Sequence, residues 1–175
     1  MKSRAADHGL PASRRLLWAS LLLLSLPSGA MDLLTGIEAY QTQQYARAYE
    51  ILMPHAQTGE AEAQRLIGVM YMLGQGVEQD LATAARWVRG SAQLGNPQAQ
   101  ELLSFMYHRG AGVPQDPVQA YVWLKLASQR AVDPRHSEGI QATIGRLIGQ
   151  MTQAERQRAR AMSRQYYYQY VVPFL

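Results

Sequence analysis

Any chemistry in this chain has to come from His55, His108 and His136, from two Gly-x-Gly turns, or from its arginines. It contains no cysteine to act as a thiol nucleophile or a soft metal ligand. None of these histidines is followed three or four residues on by a second histidine, a cysteine or a carboxylate, the spacing that sets two ligands on one helix face. No metal site is expected. Gly74-x-Gly76 and Gly110-x-Gly112 have the look of phosphate cradles, but each follows helical rather than strand-like patterning and lacks both a third glycine and a Lys-Ser/Thr step. The spellings Gly-x-Ser-x-Gly, His-Glu-x-x-His and Ser-x-x-Lys do not occur. The expectation is a protein that is not an enzyme and needs no cofactor.

The arginines are placed unevenly. From Met31 to Asp80 there are seven acids and two bases, and from Leu81 to Leu175 eleven bases and five acids. Arg146, Arg156, Arg158, Arg160 and Arg164 concentrate the positive charge near the C-terminal end, where an anionic polymer or an acidic partner would be drawn. The formal charge of +4 is not a nucleic-acid signature, because the first 30 residues supply four bases and one acid.

What positions these side chains is a repeat. The segment from Ala63 recurs from Ala99, 36 residues later: Tyr71 maps onto Tyr107, Gly74 and Gly76 onto Gly110 and Gly112, Asp80 onto Asp116, Ala84 onto Ala120, and Trp87 onto Trp123. A period of this size marks stacked supersecondary units that bury their apolar faces only against neighbours. Within each unit, helical spacing runs into the glycine turn and then into a second helical segment. Gly74 and Gly110 suit left-handed helix ends, and Asp80 and Asp116 suit N-caps. Asn96-Pro97, Asp133-Pro134 and the capping-box spelling Thr152-Gln-Ala-Glu155 mark three further helix starts. Gln44, Ala48, Ile51, Ala56 and Gly59 continue the pattern backward as a degenerate first unit, entered by a helix around residues 33–43. Beyond Ser128 the pattern is lost, and a capping end follows.

The signature carried by Gly68, Tyr71, Gly74, Gly76, Asp80, Ala84 and Trp87, and again by Tyr107, Gly110, Gly112, Asp116, Ala120 and Trp123, resembles the Sel-one-like repeat (SLR), a relative of the tetratricopeptide repeat. The resemblance covers roughly residues 40–130. Ser104, Ser128 and Ala131 depart from the pattern set by Gly68, Ala92 and Gly95, so the second unit should close less regularly. The resemblance implies an all-α, right-handed solenoid of the kind that binds proteins or glycans and scaffolds complexes. By the same likeness, the first helix of each pair should line an inner groove. Gln64, Arg65, Met72, Gln100, Glu101, His108 and Arg109 are the exposed candidates to hold a protein partner there.

Residues 1–30 read as a signal peptide. Basic residues precede the apolar run Leu16–Leu26, and small residues at Ser28 and Ala30 allow a cut after Ala30. The run is short of the ~20 residues needed to span a bilayer, and no later segment is apolar enough. The expectation is export, to the periplasm or beyond, of a repeat domain over 31–165 with a Tyr-rich tail over 166–175. Two roles for that tail stay open: a cap over the apolar end of the stack, or a docking segment.

Overall fold

The computed structural model describes residues 28–130 and 133–174. Residues 1–27 of the expected leader lie outside them, as does Ala131. The described chain is all-α, with eight helices: α1 (Ser28–Gln41), α2 (Tyr45–Gln57), α3 (Ala61–Leu73), α4 (Leu81–Gln93), α5 (Pro97–Arg109), α6 (Pro117–Ala127), α7 (Pro134–Gln150) and α8 (Gln153–Tyr170). Each of α1 to α5 packs against the next in sequence, and α6 then packs against both α7 and α8. The neighbour-to-neighbour order from α1 to α6 is what a solenoid requires, and α8 closes the end by returning to α6.

Local chemistry sets the helix starts. Asp80 accepts hydrogen bonds from the backbone N–H of Ala82 and Thr83, and Asp116 does the same from Val118 and Gln119. Asn96 and Asp133 cap α5 and α7, each followed by proline at the first helical position. Thr152 and Glu155 close a reciprocal capping box at the start of α8.

The glycine turns set the spacing between units. Gly74 and Gly110 end α3 and α5 at φ 68° and 69°, in the left-handed region. Two residues on, Gly112 lies against the start of α4, where a Cβ would collide with the carbonyl of Leu81. Gly76 sits in the same relation to Tyr45 at the start of α2, with a Cβ position 2.8 Å from the Tyr45 carbonyl carbon. Each turn is therefore the contact by which one unit seats on the unit before it. The degenerate first unit lacks this turn, and Gln43 takes the left-handed conformation instead, at φ 62°.

Ala48, Ala84 and Ala120, spaced by 36 residues, are fully buried at the helix crossings. Gly68 is buried in the same way, its Cβ position 3.3 Å from the Ala84 carbonyl oxygen. In the second unit Ser104 takes that place, and its hydroxyl donates to the Ala120 carbonyl at 2.7 Å. The same carbonyl is met by a hydrogen bond instead of bare contact. The departure at Ser128 has a larger effect, since α6 stops there in a 3₁₀ turn, Ser128–Arg130. Three buried clusters follow one another along the chain, the central one joining α4, α5 and α6 through Val88, Leu103, Met106 and Trp123.

Candidate protein-binding cleft

The last turn of each repeat's first helix is held in place by backbone and amide bonds that recur at 36 residues. The Asp80 and Asp116 N–H groups donate to the carbonyls of Tyr71 and Tyr107, at 2.9 and 3.0 Å. The Gln79 and Gln115 side chains donate to the carbonyls of Met72 and His108, at 2.8 and 2.9 Å. These bonds fix the C-terminal turns of α3 and α5, so what those turns display is displayed rigidly.

At the end of α5 the display forms a cleft. Phe105, His108 and Arg109 face Thr143, Arg146, Leu147 and Gln150 of α7 across a volume of about 370 Å³. The two helices run side by side in the same direction, because His136 near the start of α7 meets Glu101 near the start of α5 at 2.8 Å. Phe105 keeps half its surface in solvent (50%), and the Arg109 guanidinium lies over its ring at 5.8 Å from the centroid. Arg146 is steadied by a 2.9 Å bond to the Thr143 hydroxyl. Among the described residues no carboxylate lines the cleft. Among the described residues neither Arg109 nor Arg146 is ion-paired.

Other candidate residues have structural duties. Gln100, expected at the groove surface, is only 1% exposed, and its amide donates to the Ala92 carbonyl at the end of α4. Gln64 makes the equivalent bond to Ala56 at 3.0 Å, and is partly buried. The expectation of exposure is corrected for Gln100: an identical polar residue in both units marks a rung that ties one unit's first helix to the preceding helix end. Arg65 is held by Glu62 of its own helix, and Glu62 also accepts from Asn96 of the next unit. Met72 packs against the central core cluster.

The five arginines of the basic end do not act together. Arg146 belongs to the α5–α7 cleft. Arg156 donates to the carbonyls of Ile148 and Met151 at the end of α7, and shares a small crevice with Arg160. Arg158 approaches Asp116 at 3.9 Å, and Arg164 is exposed on α8. Phe105, Thr143, Leu147 and Gln150 were not legible as site residues. Phe105 stands where the first unit has Val69, and α7 lies beyond the repeat, so no period could place its side chains. Of the two repeat tryptophans, Trp123 is buried, whereas Trp87 is partly exposed over an open depression of about 430 Å³ shared with Gln64, Thr83, Arg86 and Gly90.

The Sel1 repeat model matches residues 61–96 and 97–131, the two units whose turns and caps are described above. The chain carries two Sel1 repeats. Among solved structures, it is similar to c5321, a protective antigen present in uropathogenic Escherichia coli strains that displays an SLR fold. That match has a TM-score of 0.74 at 28% identity, over 81% of this chain and 30% of the other. It is also similar to a Sel1 repeat protein from Oxalobacter formigenes, with a TM-score of 0.58 at 32% identity over 65% of this chain and 45% of the other. The chain thus spans less than half the length of either. No curated protein matches it. Sel1 repeats typically mediate protein interactions and belong to a scaffold family that is generally non-catalytic. Among the described residues no three histidines or carboxylates are grouped to hold a metal ion, and no helix is long and apolar enough to cross a membrane.

Proposed function

We propose that this protein is an exported, non-catalytic adaptor that holds a polypeptide partner against the first helices of its repeats. The observation that carries the reading is the display at the fixed last turns of α3 and α5. Leu73 and Phe105 stay 54% and 50% exposed there, on turns whose backbone is pinned by recurring bonds. Large apolar side chains held rigidly in solvent are what binding surfaces use. Export rests on the leader-like composition of residues 1–30.

The test is site-specific photo-crosslinking in the cells that make the protein, with the reactive group at position 105, 73 or 168. A defined protein trapped from 105 and 73 supports the reading. Trapping from 168 alone moves the interface to α8. Export is checked by reading the N-terminus of the fractionated product, expected at Met31. A second reading, an anionic wall polymer held by the C-terminal arginines, is weakened because Arg156 is already committed to α7 carbonyls. It requires retention on purified wall material that salt abolishes.

A further inference from the structure

We infer that the α5–α7 cleft receives an acidic side chain of the partner, an Asp or Glu that lies next to a large apolar residue in a polypeptide segment. This deepens the adaptor reading and rests on it. Two guanidinium groups and an imidazole, those of Arg109, Arg146 and His108, surround the cleft, and among the described residues none that lines it is an acid. Arginine's planar fork pairs with a carboxylate through two parallel hydrogen bonds, and Arg109 and Arg146 are free of ion pairs among the described residues. The Phe105 ring beside them and Leu147 beneath offer the apolar contact.

The rest of the chain sets the direction of the bound segment. Residues 31–80 carry a net −5 and residues 81–175 a net +6. An acidic segment is repelled from the first units and drawn toward the end where α5 and α7 lie. One unit earlier, Met72 and Leu73 occupy the places of His108 and Arg109, so the first unit offers apolar surface at the register where the second offers charge. A partner lying across both units is therefore read apolar toward α3 and acidic toward α5.

The experiment selects from a displayed library of random 12-residue peptides on the full protein as its cells make it, and measures the enriched peptides by fluorescence anisotropy. The expected result is enrichment of Asp or Glu within two residues of Phe, Tyr, Trp or Leu. Affinity should fall about tenfold or more in Arg109→Ala/Arg146→Ala, and Phe105→Ala should also weaken it. In Arg109→Glu/Arg146→Glu, peptides with the acid changed to lysine should regain binding. Arg109 and Arg146 are both exposed, so circular dichroism and melting should show these variants folded. Enrichment without acidic bias, or binding indifferent to both charge reversals, overturns the inference and leaves the adaptor reading standing. Binding that needs only a free C-terminal carboxylate overturns it as to source. Self-association abolished by Arg109→Glu/Arg146→Glu in sedimentation overturns it in favour of a second copy. No peptide bound at all, together with no crosslink from positions 105 or 73, sinks both.

Discussion

Tyr170 stacks on Trp123, with ring centroids 5.6 Å apart and planes 26° from parallel, while Tyr166 covers the same indole from a second side at 5.3 Å. The tyrosine-rich end is thus the last two turns of α8, continuous with the arginine-rich part, and Val171 just beyond it is 1% exposed in the central core. Trp123 is buried because these rings lie over it.

Ending the chain at Arg164 should therefore unfold it more readily. It strips Tyr166, Tyr167, Tyr170 and Val171 from the core and uncovers Trp123, an expected loss of at least about 3 kcal/mol. Tyr168→Ala should change stability by no more than about 0.5 kcal/mol, because that ring is 67% exposed. Urea titrations of the two variants check both values. A truncated chain as stable as the parent would show that the aromatic cover contributes nothing.

Three glycines separate backbone strain from collision. Gly74→Ala meets only a left-handed φ of 68°, with its Cβ 3.5 Å from the nearest side chain, and should cost about 1 kcal/mol. Gly112→Ala adds a collision with the Leu81 carbonyl to the same penalty and should exceed about 2 kcal/mol. Gly139→Ala, in the interior of α7 with nothing within 4 Å, should stabilise by about 0.5–1 kcal/mol. Thermal melts that fail to rank the three in this order would refute the unit-seating role of the turn.

The repeat made the helix order, the caps and the left-handed turns legible, because each has a short-range cause written at one register: Asp80 with Asp116, Gly74 with Gly110. It also made Ala48, Ala84 and Ala120 legible as crossings. It did not reveal the cleft, since one wall is α7, whose residues have no counterpart at 36 residues and are placed by packing Ile140, Ile144 and Leu147 on α6. Gln100 misled for the opposite reason. A glutamine on a first helix looks like groove surface, yet its identity in both units came from an inter-helix bond that only the packed structure shows.

That bond has a measurable value. Gln100→Ala removes the buried amide donor from the Ala92 carbonyl, which keeps its bond from the Gly95 N–H, and should cost about 0.5–1.5 kcal/mol. Gln64→Ala, at the equivalent but less buried place, should cost less. Equal losses at the two sites, measured by denaturant titration, would mean that burial does not set the value of the rung.

Stability should fall at both ends of the pH range, for different reasons. The Thr83 hydroxyl and backbone N–H hold the Asp80 carboxyl below the ordinary aspartate value, and the Thr152 N–H and hydroxyl lower Glu155. Groups with depressed folded pKa values contribute stability that is complete above the unfolded values, about 3.9 for Asp and 4.3 for Glu, and lost as pH falls through the folded ones. Asp80→Asn and Glu155→Gln should therefore flatten the acid limb. At the other end, the Tyr49 hydroxyl, hydrogen-bonded to that of Tyr71 at 2.8 Å and further raised by burial, is pushed up to about 12. A raised folded pKa stabilises the protein fully below the unfolded value of about 10 and loses that contribution as pH rises through the folded one. Melting temperature should drop between pH 10 and 12, a window set by these two values, and Tyr49→Phe should lessen that drop while lowering stability at neutral pH through the lost hydroxyl pair. An alkaline limb unchanged by Tyr49→Phe would show that the tyrosine pair between α2 and α3 does not govern it.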